Sequence, residues 1–181
     1  CQEMVQETQR QVEAQWTYGG YLEDRSFLWK GSYLETTGNF VHLGIDWNVP
    51  AGTEVNLTFP AEAVYCTFDP SVGGWGPMVI LEPKHPSSPD CLLIYAHLAD
   101  LAIVPGDQLD AGQTLATVGH APDNGNWYPH MHLQAIRREV FEHYLQVGLA
   151  SMDGYGNSAN LQELKRDYPD PIEILTQLSD R

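Results

Sequence analysis

Trp127-Tyr128-Pro129-His130-Met131-His132-Leu133-Gln134 is the stretch from which the fold and chemistry of this chain can be read outward. On a β-strand, side chains two positions apart leave the same face roughly 6–7 Å from each other, so His130 and His132 would project side by side. That is a metal-site spacing. Pro129 fits the start of such a strand, where no ladder donor is required, and Met131, Leu133 and Ile136 supply apolar side chains for packing. Two ordinary half-exposed strand histidines would give the same local pattern. Only partners elsewhere in the chain separate the two readings.

Those partners lie upstream, in a region of short apolar segments cut by Gly/Pro turns. Val41–Trp47, Glu54–Phe59, Ala63–Phe68, Pro77–Glu82, Cys91–Ala96 and Gln113–Val118 read as strands. Between them lie Pro50-Ala51-Gly52, Gly73-Gly74, Pro86-Ser87-Ser88-Pro89, Pro105-Gly106 and Ala111-Gly112. Many short strands with such turns predict an antiparallel sandwich or barrel-like sheet. Within the first of them, His42-Leu43-Gly44-Ile45-Asp46 offers an imidazole and a carboxylate, donors that zinc accepts. On a straight strand positions 42 and 46 would lie roughly 13 Å apart, so co-ligation requires a bend, and Gly44 is where the chain can make one. Leu93-Ile94-Tyr95-Ala96-His97 ends another strand in a histidine.

The flanks read as helical. Gln2 to Trp16 carries Met4, Val5, Val12 and Trp16 near one side at helical spacing, with Tyr18-Gly19-Gly20 ending the helix. Tyr21 to Phe40 reads as short strands or an arm, and its Asp24-Arg25 pair as a surface ion pair. After Gln134 a stripe of Val140, Phe141, Tyr144, Leu145 and Leu149 predicts a helix, and Asp170-Pro171 a cap and first turn for Ile172–Leu178. Residues 1–40 thus form a helix and arm, 41–136 the β domain, and 137–181 a helical extension of it.

The chain has 181 residues, 43% of them hydrophobic, enough for one domain with a proper core. Its formal net charge is −15, and five of its nine basic residues (Arg137, Arg138, Lys165, Arg166, Arg181) follow the histidine pair. No nucleic-acid footprint and no membrane span is present in this pattern. Cys1, Cys66 and Cys91 form neither a disulfide framework nor a C-x-x-C pair, which favours a reducing compartment, so a soluble cytoplasmic setting is preferred to the cell envelope or secretion. Cys1 in place of a methionine fits a fragment or a processed form, lipid modification of that cysteine included. Cys66 and Cys91 read as small buried apolar residues. His85, His120 and His143 lie in an insertion, a loop and a helix, and receive no role. Gly73-Gly74-Trp75-Gly76 lacks the lysine and helix of a phosphate loop.

Four stretches together resemble the lysostaphin-type, or LytM-like, zinc metallopeptidases. They are His-x-Gly-Ile-Asp-x-x-x-Pro-x-Gly-Thr (His42 to Thr53), Tyr-x-His-Leu (Tyr95 to Leu98), Gly-Asp-x-Leu-x-Ala-Gly-Gln (Gly106 to Gln113) and Pro-His-x-His (Pro129 to His132). The resemblance covers about Val41 to Gln134 in order and spacing. It implies a mainly β, two-layer antiparallel sandwich-like domain, with the N- and C-terminal helices peripheral. It further implies that His42, Asp46 and His132 bind one Zn2+ per chain while His97 and His130 stay unligated as catalytic histidines beside the open position. The expected activity is hydrolysis of peptide or amide bonds by metal-activated water, with peptidoglycan stem or cross-bridge peptides among the candidate substrates. One carboxylate and two neutral imidazoles would leave the centre a net charge of about +1, keeping the metal Lewis-acidic.

Several positions depart from the common family pattern. Asn124-Gly125-Asn126-Trp127-Tyr128 puts two aromatics at the rim where small residues are usual, Gln134 stands for a common Glu, and Ala96 for a common Gly. Trp-x-Pro-His and the later Pro169-Asp170-Pro171 look closer to LytM-like domains joined to kinase and aminotransferase modules than to wall hydrolases. Two other readings compete: a zinc-binding regulatory module without catalysis, and a hydrolase of a small-molecule amide or ester. Non-catalytic relatives typically lack ligands that this chain retains.

Overall fold

The structure, a computed structural model, describes residues 2–31 and 33–179, so Cys1 and Arg181 lie outside the described residues. From the N-terminus come helix α1 (Gln2–Gln11), strand β1 (Thr17–Gly19), the one-turn helix α2 (Ser26–Trp29), β2 (Asn39–His42) and β3 (Ile45–Asn48). Next are β4 (Glu54–Asn56), β5 (Ala61–Asp69), β6 (Gly76–Pro83), β7 (Cys91–Ala96), β8 (Leu98–Ala99), β9 (Gln108–Leu109) and β10 (Thr114–Val118). The chain ends with β11 (Met131–Arg137), α3 (Arg138–Val147), β12 (Tyr155–Asn157), α4 (Leu161–Asp167) and α5 (Pro171–Ser179).

Strand β7 explains the layering. All six of its residues are buried, which requires cover on both faces. Cys91, Leu93 and Tyr95 pack into one core with Val79, Leu81, Leu133 and Ala135. Leu92, Ile94 and Ala96 pack into the other with Met78, Ile80 and Ile136. This is the period-2 alternation of a central strand between two layers. The large sheet runs β1-β3-β11-β7-β6-β5-β9, with antiparallel pairing throughout. A small sheet, β4-β10-β8, closes the first core. The protein is therefore the expected mainly β, two-layer antiparallel domain with peripheral helices.

The C-terminal helices cover the cores through fewer residues than their stripes suggested. Phe141 of α3 and Ile174 and Leu178 of α5 are buried, whereas Leu145 and Ile172 remain 53% and 43% exposed. Asp170 caps α5 as expected, its Oδ1 accepting the Ile172 amide at 2.8 Å.

Two expectations about the N-terminal region fail. Helix α1 stops at Gln11, and Thr17–Gly19 pairs with β3, Gly19 lying opposite Asp46. An open β3 edge is a row of unpaired backbone groups, and pairing it outweighs the helical spacing of Trp16. Arg25, expected on the surface beside Asp24, is 6% exposed and points inward. Asp24 instead accepts the Ser26 amide at 2.8 Å.

Candidate metal centre

The sheet register brings the predicted residues together. His132 of β11 lies opposite Asp46 of β3 on one side and Ala96 of β7 on the other, and His97 follows Ala96. The chain bends at Leu43-Gly44: β2 leaves the large sheet to pair with β12, and His42 swings back over Asp46. A Cβ at Gly44 would lie 2.5 Å from the Leu133 carbonyl oxygen and 2.7 Å from the His132 ring. Only a glycine lets the bend pass this close.

Three donor atoms converge, all from buried residues. His42 Nε2 lies 3.2 Å from His132 Nδ1 and 3.3 Å from Asp46 Oδ1, and His132 Nδ1 lies 2.8 Å from the same oxygen. A tetrahedral zinc with bonds of about 2.0–2.1 Å spaces its ligand atoms about 3.3 Å apart. The triangle fits that ion, and its two nitrogens and one oxygen are donors zinc accepts.

The outer partners bias which nitrogen carries each proton. Gln134 donates Nε2–H to the Asp153 carbonyl at 3.3 Å, so its Oε1 faces His132 Nε2, 3.1 Å away. An amide oxygen only accepts, so Gln134 favours the tautomer protonated on Nε2, which turns the Nδ1 lone pair towards a metal, whereas the Nδ1–H tautomer donates to Asp46 Oδ1. Gln134 thus supplies the acceptor for which the common family Glu is not needed. On His42, Nδ1 lies 2.9 Å from the Gly20 carbonyl, and a proton donated there frees Nε2.

The two remaining histidines stand beside the cluster. His97 Nδ1 donates to the Asn124 carbonyl at 2.9 Å and His130 Nδ1 to the Tyr128 carbonyl at 2.7 Å. Both therefore hold Nε2 unprotonated, and their ring centroids are 4.4 Å apart. His130 Nε2 is 3.6 Å from Asp46 Oδ1. His97 adopts φ +60°, a strained conformation for a non-glycine residue, where β7 ends and the side chain turns into the groove.

Burial lowers the pKa of His97, with the His130 and His132 rings adding to the effect, well below the usual 6.5. His130 and His132 are also lowered, again chiefly by burial. Burial opposes the charge on Asp46, but the His42 and His130 rings and the bond from His132 hold its pKa well below the usual carboxylate value. At neutral pH Asp46 is thus a carboxylate beside the neutral imidazoles of His97, His130 and His132.

A cavity of about 290 Å³ opens over these groups, and residues from the N-terminal segment, among them Tyr18, Phe27 and Trp29, line it with Trp127 and Tyr128. Trp127 holds its place by donating Nε1–H to the Gly74 carbonyl at 3.1 Å. The sequence reading missed four participants. Arg25 donates Nη1–H to Asp46 Oδ2 at 2.6 Å; Tyr155 accepts from the same nitrogen at 3.1 Å; Trp29 stacks edge-on against Trp127 and Tyr155; and buried Asn124 accepts from the Trp127 amide at 3.1 Å. None sits in a periodic pattern, and none belongs to the four quoted motifs. His85, His120 and His143 stay outside the cavity lining.

A β sandwich with a His/Asp/His cluster at one end of its large sheet is the architecture of a metallopeptidase domain. The model of peptidase family M23 matches residues 40–142, and the chain belongs to that family. Among solved structures, the catalytic domain of the antimicrobial peptidase lysostaphin from Staphylococcus simulans is similar over 91% of this chain and 98% of its own, with 18% identity and a TM-score of 0.52. A variant catalytic domain of the prophage-encoded M23 protein EnpA from Enterococcus faecalis matches over 54% of this chain and 69% of its own, at 23% identity and TM-score 0.46. A zinc-containing peptidase from Vibrio cholerae matches over 53% of this chain and 27% of its own, at 23% identity and TM-score 0.44. No curated protein sequence matches the chain. Among the described residues, no helix is long and apolar enough to cross a membrane.

Proposed function

We propose that this protein is a zinc-dependent hydrolase of peptide or similar amide bonds, with His42, Asp46 and His132 holding one zinc ion and His97 and His130 acting on protons beside it. The observation that carries the reading is the triangle of donor atoms with edges of 2.8 to 3.3 Å under two histidines whose Nδ1–H groups are held by backbone carbonyls, leaving each Nε2 free. Bound there, zinc would polarise the scissile carbonyl and lower the pKa of water towards neutrality. His97 and His130 are neutral at pH 7, so either Nε2 can accept the proton of the attacking water and return it to the leaving amine. A protonated Nε2 can hydrogen-bond the oxyanion. Asp46 stays ionised throughout.

In this scheme residues 41–136 carry the chemistry, residues 1–40 form a wall of the groove, and 137–181 brace the sheet. Tyr18, Phe27, Trp29, Trp127 and Tyr128 give the cavity an aromatic lining that suits an apolar or uncharged segment of peptide. The formal charge of −15 disfavours anionic polymers, although repulsion is screened beyond about 8 Å at physiological salt. Free Cys66 and Cys91 favour a reducing compartment.

The test is hydrolysis of short glycine-rich and mixed peptides, with purified peptidoglycan in parallel, before and after chelation. Activity that disappears with the metal, returns with zinc and is abolished by His132→Ala supports the proposal. Full activity in metal-free protein would sink it. Efficient lysis of intact walls would replace the uncharged-substrate reading with a wall-hydrolase one.

A further inference from the structure

Arg25 makes contacts with the cluster that metal binding alone does not require. Its guanidinium is held on four partners: Nε on Glu23 Oε2 at 3.0 Å, Nη1 on Asp46 Oδ2 at 2.6 Å and on Tyr155 Oη at 3.1 Å, and Nη2 at 2.9 Å from His42 Nδ1. Space for it is built in, because Gly19 lies where a Cβ would come within 2.2 Å of Nη2. A fork so engaged has one position.

We infer that Arg25 is a resident cation that competes with the metal for the electrons of Asp46 and His42, and so weakens metal binding while leaving the bound ion more Lewis-acidic. The inference rests on the zinc-hydrolase reading and follows from two separate contacts. At Asp46, the guanidinium occupies Oδ2, so only Oδ1 faces the cluster and the carboxylate donates through one oxygen whose charge is already partly neutralised. At His42, Nδ1 stands between a group that can only accept, the Gly20 carbonyl, and one that can only donate, Arg25 Nη2. If Nδ1 donates to Gly20, Nε2 is free for a metal. If Nδ1 accepts from Arg25, the proton moves to Nε2 and blocks it. Arg25 therefore favours the tautomer that cannot ligate. With the metal in place, the guanidinium offsets the Asp46 carboxylate, and Glu23, half-exposed on its outer side, offsets the guanidinium only in part, so the local charge stays above that of the ligand set alone.

A residue that merely buttressed the site would, when removed, weaken metal binding. A competing cation would do the opposite, and that sign is the test. Zinc affinity is measured by competition with a chromophoric chelator for the wild type, Arg25→Lys, Arg25→Met and Arg25→Gln, the two neutral variants guarding against a fold lost in one of them. The expected result is near-wild-type affinity for Arg25→Lys, which keeps the charge. At least a tenfold tighter hold, about 1.4 kcal/mol, is expected for a neutral variant with a native circular dichroism spectrum. The melting temperature of the metal-free neutral variant should fall while its gain on adding zinc grows. Zinc binding equal to or weaker than wild type in both neutral variants overturns the inference while leaving the hydrolase reading intact. If the wild type holds no zinc but a neutral variant does, the competition stands and the hydrolase reading falls; if none binds, both fall.

Discussion

One flank of the His/Asp/His cluster is made of paired strands, the other of a segment with little regular structure. Asp46 and His132 face each other across β3 and β11, so their separation is set by sheet geometry that many backbone bonds hold in common. Arg25 comes from the stretch between β1 and the one-turn helix α2, anchored by its amide on the Phe40 carbonyl at 2.9 Å and by its own guanidinium. A strand-borne site moves only if the sheet moves, whereas the arm can give locally. Substitutions on the two flanks should therefore differ in size and in kind.

The largest effect is expected at Gly44. The new Cβ of Gly44→Ala would meet backbone at Leu133 and the ring of His132, neither of which can step aside without parting β3 from β11. We expect a loss of about 2–3 kcal/mol in stability, seen as a melting temperature lowered by roughly 5–10 °C, together with loss of stoichiometric zinc binding. A Gly44→Ala protein that melts and binds zinc like the wild type would show that the strand flank is softer than its register suggests. Gln134→Leu comes next. It removes the acceptor that keeps the proton on His132 Nε2, and zinc affinity should fall about 10–100-fold, with Gln134→Glu retaining most of it because a carboxylate accepts the same proton.

A third effect follows from the buried histidines. The folded pKa values of His97, His130 and His132 are lowered from 6.5, chiefly by burial. Below pH 6.5 the unfolded chain binds protons that the folded one refuses, so stability is fully present above that pH and is lost as pH falls. Each histidine contributes at most about 1.4 kcal/mol per pH unit within its window. Chelator-treated protein should therefore melt lower at pH 5.5 than at pH 7.5 in thermal scans. A flat profile between those values would mean that these histidines are already protonated in the fold.

The strand flank was legible in the sequence because its constraints are local and repetitive. Cys91–Ala96 is a strand at the boundaries its composition suggested, and the bend at Gly44 follows from the distance that separates positions 42 and 46 on a straight strand. The His-x-His spacing brings His130, immediately before β11, and His132 within it to the same cavity. The arm was not legible for the opposite reason. Arg25 next to Asp24 looks like any exposed pair, and only a chain folded back through β1 and the Asp24–Val41 bridge carries the guanidinium to a carboxylate 21 residues away. Likewise Thr17–Gly19 is a strand because β3 offers an edge, a demand that no local propensity records.

The smallest expected change sharpens the comparison most, since it uses the same chemistry as the largest. Gly19→Ala also adds one methyl beside the cluster, yet the atoms it meets are Arg25 Nη2 at 2.2 Å and Cζ at 3.3 Å, with Asp46 Oδ2 at 3.5 Å. Its four contacts hold the guanidinium in one place in the wild type, but it is the end of a side chain rather than backbone and, pressed by a methyl, can withdraw towards Glu23, which is partly open to solvent. Stability should therefore fall by less than about 1 kcal/mol, a melting shift of roughly 2–4 °C at most. What changes is the pairing: as Nη1 leaves Asp46 and Nη2 leaves His42, the carboxylate and the His42 tautomer are released to the metal, and zinc should bind more tightly than in the wild type. A methyl at position 44 would thus cost metal and fold together, while one at position 19 would leave the fold nearly intact and strengthen metal binding. Zinc affinity lowered in both proteins would show that the arm serves the site only as a support.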